Sequence, residues 1–188
     1  MAIGKMTAGL EIYRWILDNQ PQVRTDFLAT GQIGITVTGK GIPLDAFKVD
    51  HACGAVEHMV LESADADLIF IEGQGSLIHP GSSATLPLMR GSCATDLILC
   101  HRAGMTHVDH TSGDVRIPPL KEVVALNEAV ASAAGALTPA KTAGIALNTS
   151  HLDEEAALSA INELEDETGL PVQDVVRFGA GKLAETLI

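Results

Sequence analysis

Apolar positions along the chain alternate between short runs and longer stretches with helical spacing. The short runs predict five strands, at Val23–Ala29, Leu68–Ile71, Leu97–Cys100, Ala143–Leu147 and Val172–Val176. Helical spacing predicts one helix that opens at Lys5 and ends before Pro21, and five more at Asp50–Ala64, Ala84–Gly91, Pro119–Ala134, Asp153–Thr168 and Ala180–Leu187. Strands that alternate with helices are typical of an α/β fold with a mostly parallel sheet and helices on both faces. We therefore predict a single α/β domain over residues 1–188.

The composition indicates the kind of core and argues against some binding partners. Hydrophobic residues make up 46% of the chain but aromatic residues only 3%, which suits an aliphatic core between a parallel sheet and its helices. The net charge of −12 argues against nucleic-acid binding. No apolar run is long enough to cross a bilayer, and we expect a soluble, cytoplasmic protein without a membrane partner. The cysteines are odd in number and form no C-x-x-C pair, which predicts reduced thiols: Cys53, Cys93 and Cys100.

The first helix opens with a candidate phosphate-binding motif. Gly4-Lys5-Met6-Thr7 matches the second half of a P-loop, G-x-x-x-x-G-K-[S/T], in which backbone N–H groups and the lysine surround phosphate oxygens. Three residues before Gly4 hold neither the preceding strand nor the first glycine, so we expect a truncated domain that lacks its first strand. Met6 stands where the usual motif places a hydroxyl, so Thr7 is a metal ligand only if the helix start is shifted.

A second motif follows the strand at Leu68–Ile71. Glu72-Gly73-Gln74-Gly75 places a carboxylate at the carboxyl edge of the sheet, where a phosphate-bound Mg²⁺ needs an oxygen ligand. An ordinary turn with a solvated Glu72 is the alternative. Because Lys5 and Glu72 are expected to be neighbours at this edge, the functional interpretation is favoured. The glycine-rich stretch from Gly31 to Pro43 is either a loop that faces a ligand or a simple turn.

Other candidates leave alternatives open. His79 and His101 follow strands and are candidate general bases, although hydrogen-bonded structural histidines are more common. Asp26 either faces a bound ligand or sits on a polar sheet edge. The segment from His107 through Asp109 to His110 has the residue types of a metal site but lacks further ligands, and a plain loop is favoured. The hydroxyl residues after Glu72 either bind substrate or cap the next helix, and capping is favoured: Ser82, Ser83 and Thr85.

Three ordered motifs together resemble a known family. Gly4-Lys5-Met6-Thr7, then Ala29-Thr30-Gly31-Gln32-Ile33-Gly34, then the segment from Ile71 to Pro80 are similar to the C-terminal P-loop domain of the D-glutamate N-acetyltransferase family, formerly a domain of unknown function. The resemblance implies a P-loop NTPase-like fold, acetyl-CoA as acetyl donor, D-glutamate as acceptor and an N-terminal Rossmann-type domain as partner. It implies a set of cofactor-binding residues: Gly4, Lys5, Met6, Thr7, Thr30, Gly31, Gln32, Gly73, Gln74 and Gly75. We take Glu72, His79 and His101 as candidate catalytic residues, and Thr7 and Glu72 as candidate metal ligands.

A more distant similarity to dethiobiotin synthetase supports a different function. That enzyme class implies ATP and Mg²⁺, with phosphoryl transfer to a carboxylate. A third hypothesis is an inactive domain that only packs against a partner. We also expect a homo-oligomer, and the missing strand predicts exposed sheet edges, marginal stability and poor solubility.

Overall fold

The computed structural model describes residues 3–109, 111 and 113–188. Strands and helices alternate along these residues. The strands are β1 (Thr25–Leu28), β2 (Leu68–Ile71), β3 (Asp96–Arg102), β4 (Lys141–Asn148) and β5 (Val172–Gln173). The α-helices are α1 (Lys5–Asn19), α2 (Gln32–Thr38), α3 (Val49–Leu61), α4 (Thr85–Ser92), α5 (Leu120–Ala131), α6 (Glu154–Thr168) and α7 (Gly181–Ala184). Short 3₁₀ turns lie at Leu44–Ala46, Ala133–Gly135 and Glu185–Leu187.

The strands are parallel and form two groups. β1 pairs with β2, with Phe27 opposite Phe70, and β4 lies between β3 and β5, with Ile145 opposite both Leu99 and Val172. Among the described residues no ladder joins β2 to β3. The sheet therefore consists of a two-stranded and a three-stranded part.

Helices cover both faces of the sheet because successive strand side chains point to opposite sides. On one face Ile12 and Ile16 of α1 pack with Ala146 of β4, and Phe70 and Cys100 pack against the same cluster. On the other face the buried residues of α3, α5 and α6 pack against β1, β4 and β5. The predicted α/β class, with parallel strands and helices on both faces, is confirmed.

Most of the predicted elements are confirmed with shifted ends. The predicted cap of α6 is present, because the Asp153 carboxylate accepts a hydrogen bond from Ala156 N at 2.8 Å. The helix predicted to reach Ala134 ends at Ala131, since Ala133 and Ala134 have positive φ. The last predicted strand is shorter than expected and ends at Gln173.

The interpretation of Gly31 to Pro43 as an irregular loop was wrong, because α2 occupies the first half of this stretch. Gly34 lies inside α2 at its contact with the end of β1, where a Cβ would come 2.7 Å from Ala29 Cβ. Because glycine is unfavourable in an isolated helix, the sequence pattern did not predict α2. Packing requires the glycine at this position.

No helix of the described residues is both long and apolar enough to cross a membrane.

Candidate phosphate-binding site

The N-terminus of α1 lies at the carboxyl edge of the sheet. Gly4 is its N-cap with φ +99°, in the left-handed region, and its carbonyl accepts the hydrogen bond from Ala8 N at 2.8 Å. The Ile3 carbonyl accepts a hydrogen bond from Asn148 Nδ2 at 3.2 Å, which holds the start of the helix beside the end of β4. The first turn has neither an acidic residue nor a side-chain cap. Its N–H groups and the positive end of the helix dipole therefore favour an anion.

Glu72 is placed close to this helix end. Its backbone N–H continues the β2 ladder by donating to Leu28 O at 3.0 Å, while its Oε2 is buried with no hydrogen-bond partner among the described residues. Burial raises the pKa of the Glu72 carboxyl above its usual range, although the charge of Lys5 and the backbone N–H of Thr30 act in the opposite direction. The structure therefore brings Lys5 and Glu72 together, as their order in the sequence suggested.

The segment after β1 forms a second wall of the site. Thr30 is buried, and its hydroxyl donates to the Glu72 carbonyl at 2.9 Å. A Cβ on Gly31 would lie 2.6 Å from Gln74 Nε2, and one on Gly34 would lie 2.6 Å from Glu72 Oε2. These two glycines thus permit the close approach of α2 to the residues that follow β2. Gln32 is exposed in the first turn of α2.

The remaining residues predicted to bind the cofactor are less enclosed. Met6 is half-buried and Thr7 is exposed in the first turn of α1. Gly73 lies directly after Glu72 and lines the same cavity as Lys5. A metal shared by Thr7 and Glu72 stays a prediction.

The hydroxyl residues after Glu72 do not cap α4, which corrects the favoured interpretation. The N-cap of α4 is Ala84, without a side-chain hydrogen bond, and Ser83 is exposed. Thr85 instead donates to Gln74 O at 2.7 Å, and the Ser82 hydroxyl accepts a hydrogen bond from Ser76 N at 3.1 Å. These hydroxyls hold the loop that follows β2, and thereby the position of Gln74.

His79 lies in the same loop, but its ring is already engaged. Its Nδ1 accepts a hydrogen bond from Gly81 N at 3.0 Å, while Nε2 is buried without a partner among the described residues. In the neutral ring an accepting Nδ1 leaves the proton on Nε2. With this tautomer, Nε2 has no lone pair with which to take a proton.

His101 lies on the other face of the sheet from Glu72. It lines a separate cavity of about 390 Å³ together with Glu163 and Glu167 of α6. Burial lowers the pKa of its imidazole, and the charge of Glu167 opposes this shift. The structure therefore does not bring His101 together with Lys5.

Two weaker candidates have other partners. Asp26 pairs with Lys40 Nζ at 2.5 Å, and this hydrogen bond lowers the pKa of its carboxyl. His107 Nε2 lies 3.1 Å from an oxygen of Asp114, and the backbone of His107 forms a bridge with Arg116. His110 is outside the described residues. Within the described part of the chain no three His, Cys, Asp or Glu side chains are grouped as metal ligands would be.

Sequence reasoning missed a buried connection behind the site. Asp174 accepts hydrogen bonds from both Thr149 N at 3.0 Å and Thr149 Oγ1 at 2.5 Å, and Thr149 follows the last residue of β4. Burial alone would raise the pKa of Asp174, but its four hydrogen bonds outweigh this effect and lower it. No spacing rule joins these two residues, which are 25 positions apart.

The parallel sheet, the helix N-terminus with Lys5 and the carboxylate after β2 together define a P-loop domain. The chain belongs to the family described as "Domain of unknown function (DUF1611_C) P-loop domain", whose model matches residues 1–184. A protein named D-glutamate N-acetyltransferase from Tritonibacter scottomollicae is 38% identical to it over 190 residues, which are 99% of this chain and 55% of that protein. A protein of the same name from Pseudoalteromonas sp. is 30% identical over the same shares of both chains.

A solved structure is also similar. The crystal structure of a DUF1611 family protein from Anabaena variabilis ATCC 29413 matches with a TM-score of 0.94 and 53% identity, over 100% of this chain and 54% of that one. The chain thus spans about half the length of the curated relatives and of the solved relative that it matches.

Proposed function

We propose that this domain supplies the phosphate-binding part of an N-acetyltransferase that transfers the acetyl group of acetyl-CoA to the amine of D-glutamate. The observation that carries the proposal is the convergence of Lys5, the N-terminus of α1 and Glu72 Oε2 at one sheet edge, where this oxygen is buried without a hydrogen-bond partner among the described residues. The names of the two relatives support the reaction class and the acceptor.

Lys5 and the first turn of α1 would bind the phosphates of CoA. The turn contributes backbone N–H groups without a competing acidic side chain, and Lys5 adds a positive charge. A charge-assisted hydrogen bond contributes about 1.5–3 kcal/mol. Binding energy from the phosphates would hold the thioester in position for attack.

Glu72 is the best placed of the three candidate catalytic residues to take a proton. The amine of the acceptor must lose a proton before its nitrogen attacks the thioester carbonyl, after which the C–S bond breaks and the CoA thiolate leaves. A carboxylate with a raised pKa is a stronger base, and Glu72 Oε2 has no other partner among the described residues. His79 Nε2 carries a proton, and His101 lies in another cavity.

An ATP-dependent ligase is the second candidate, and the same carboxylate motivates it. Mg²⁺ in phosphate-transfer sites is commonly held by one or two carboxylates together with phosphates and water. Glu72 Oε2 fits this role, since it is a buried oxygen without a partner in the described residues and lies near a phosphate-binding lysine. In that case Glu72 would hold the metal and Lys5 the phosphates.

Calorimetric titration with acetyl-CoA and with Mg-ATP tests the two candidates. We expect acetyl-CoA to bind and Lys5→Ala to weaken its binding about 10- to 100-fold, the loss of one charge-assisted contact. Lys121→Ala is the matched control, because Lys121 is an exposed lysine in the first turn of α5, away from the site. Mg-ATP binding that acetyl-CoA does not displace would favour the ligase. If neither ligand binds, the third hypothesis, an inactive domain that only packs against a partner, would be favoured.

Release of the CoA thiol on addition of D-glutamate measures turnover, with L-glutamate as the control acceptor. If Glu72 is the general base, Glu72→Gln lowers kcat by about 10²- to 10⁴-fold and removes the acid limb of the pH profile. Unchanged turnover in Glu72→Gln would refute the assigned role.

A further inference from the structure

Gln74 follows Glu72 in the loop after β2, and neighbouring hydroxyl groups hold its backbone. The Gln74 carbonyl accepts a hydrogen bond from Thr85 Oγ1 at 2.7 Å, and this hydroxyl lies 2.7 Å from Ser82 Oγ. Gly75, the next residue, has φ +68°, and a Cβ at this position would overlap Ser82 Oγ. Tertiary contacts therefore fix the point from which the side chain of Gln74 extends.

The side-chain amide of Gln74 has no role in holding the fold. Gln74 is half-buried, and its amide group forms no hydrogen bond with any residue that the structure describes. Gln74 lines the same cavity as Lys5 and Glu72, so a ligand bound by those two residues can reach it. A carboxamide offers two N–H donors. The loop thus presents available donors beside the carboxylate of Glu72.

Two glycines at the start of α2 lie under these polar groups. A Cβ on Gly31 would lie 2.6 Å from Gln74 Nε2 and 3.8 Å from Glu72 Oε2, and one on Gly34 would lie 2.6 Å from the same Glu72 oxygen. Gly31 is the N-cap and Gly34 is three residues further, so the two glycines lie on one side of the helix. Because both polar atoms lie close to one point, their separation is no more than the 2.6 Å and 3.8 Å taken together.

The amine and the α-carboxylate of an amino acid match this pair of atoms. Both groups are attached to one carbon, so the nitrogen and the nearer carboxylate oxygen are about 3 Å apart. A hydrogen bond of about 2.9 Å at each end gives a bent chain that spans about 5–8 Å between the two protein atoms. An ammonium can donate to Glu72 Oε2, which has no partner among the described residues, while a carboxylate oxygen accepts from Gln74 Nε2. The side-chain carboxylate of glutamate lies further from the amine.

We propose that Gln74 binds the α-carboxylate of the acceptor and thereby makes the domain specific for α-amino acids over simple amines. The inference rests on the proposed function, because it places the acceptor amine at Glu72. Gln74 Nε2 donates to the carboxylate, Glu72 Oε2 receives the ammonium, and Gly31 leaves room for the α-carbon between them. Gln74 then contacts the acceptor and does not belong to the cofactor-binding set that the resemblance implied.

An NMR titration of the chain, with and without CoA, tests the proposal without turnover. Three amines are compared: D-glutamate, γ-aminobutyrate, which lacks the α-carboxylate, and D-α-aminobutyrate, which lacks only the side-chain carboxylate. We expect D-glutamate and D-α-aminobutyrate to shift the side-chain amide signals of Gln74, whereas γ-aminobutyrate does not. These signals are assigned by their absence from Gln74→Ala. Because one hydrogen bond to a charged group is lost, Gln74→Ala should weaken D-glutamate binding about 10- to 100-fold and leave γ-aminobutyrate binding unchanged.

Gly31→Ala provides a second variant, which keeps the amide of Gln74 but moves it. Gly31 has φ −126° and ψ 150°, a conformation that alanine also adopts, and the atom closest to the new methyl group is the flexible end of Gln74. We expect Gly31→Ala to lose the same affinity for D-glutamate and to add nothing to Gln74→Ala, because both changes remove one interaction. Gln22→Ala is the matched control, since Gln22 is exposed and precedes β1, at the opposite edge of the sheet.

Three results would overturn the role of Gln74. They are equal weakening of D-glutamate and γ-aminobutyrate binding by Gln74→Ala, undiminished D-glutamate binding by Gln74→Glu, in which a carboxylate replaces the donors, and no D-glutamate binding by the native chain. If the native chain binds acetyl-CoA but not D-glutamate, only the role of Gln74 fails and the proposed CoA site stands. Binding of D-glutamate that depends on Gln74, without binding of acetyl-CoA, would support the inference and remove the proposed acetyl donor. Should Gln74→Ala fail to fold, Gly31→Ala and the three amines on the native chain give the same comparison.

Discussion

Replacement of Asp174 removes the buried connection between β4 and β5 and gives the sharpest stability prediction. Its Oδ2 accepts from Thr149 N and Thr149 Oγ1 at 3.0 and 2.5 Å, and its Oδ1 accepts from Val176 N and Arg177 N, both at 3.1 Å. Val176 and Arg177 are exposed, so water can replace the carboxylate there. The loss therefore falls on the two donors of Thr149, which is fully buried.

The magnitude follows from those two donors. Each hydrogen bond to a charged group contributes about 1.5–3 kcal/mol, so Asp174→Ala is expected to lower the free energy of unfolding by about 3–5 kcal/mol. For a domain of this size that equals a fall in Tm of about 6–20 °C. Thr149→Val removes one donor and should cost about half as much, while Thr149→Ser keeps the hydroxyl and serves as the control.

Thermal unfolding followed by circular dichroism measures these changes, and pH provides a second check. Because the pKa of Asp174 is lowered in the folded protein, its stabilisation is fully present above the usual value of 3.8 and is lost as the pH falls through the folded value. The difference in Tm between the native chain and Asp174→Asn should therefore shrink below about pH 4. An Asp174→Ala variant that melts within about 2 °C of the native chain at pH 7 would refute this reasoning.

Two further predictions concern packing and the site. A Cβ on Gly91 of α4 would lie 2.3 Å from Cys53 O, so Gly91→Ala should destabilise the protein by about 1–3 kcal/mol. A Cβ on Gly54 of α3 would meet nothing within 4 Å, so Gly54→Ala should stabilise the protein by about 0.5–1 kcal/mol. Chemical denaturation compares both variants, and equal midpoints would contradict the close approach of α3 and α4. Burial raises the pKa of Glu72, so the charged form of its carboxyl is less favourable in the folded chain than in the unfolded chain. Glu72→Gln should therefore raise Tm at pH 7.5 but leave Tm unchanged at pH values below 4.5, the usual pKa of a glutamate. A pH-independent change in Tm would count against the buried carboxylate.

The sequence predicted those parts of the fold that local patterns encode. β2 was located without error because Leu68–Ile71 is an unbroken apolar run between polar residues, and the cap at Asp153 has a local rule. α2 was missed because Gly34 interrupts the apolar periodicity of the helix. The requirement for glycine at this position follows only from its contacts with Ala29 and Glu72, which both lie outside α2.

In the site, too, the sequence predicted the residues that belong to local motifs and missed those that depend on tertiary contacts. Lys5 and Glu72 could be found because each belongs to a short motif, and the parallel sheet brings the two motifs to one edge. Strand position did not reveal which face a histidine occupies, so His101 was grouped with residues on the opposite face. The pair of Asp174 and Thr149 joins two loops through tertiary contact alone and leaves no pattern in the sequence.

The split of the sheet also bears on how binding can be detected. Glu72 extends from the two-stranded part, whereas Asn148 fixes the start of α1 to the three-stranded part, so a ligand held by both Lys5 and Glu72 would span the division. Such a ligand acts as a crosslink that opposes separation of the two parts. At about one hundred times its dissociation constant it adds about 2.7 kcal/mol of stability, equal to a rise in Tm of about 5–11 °C. A thermal shift would therefore identify the ligand class of this domain before any turnover is observed.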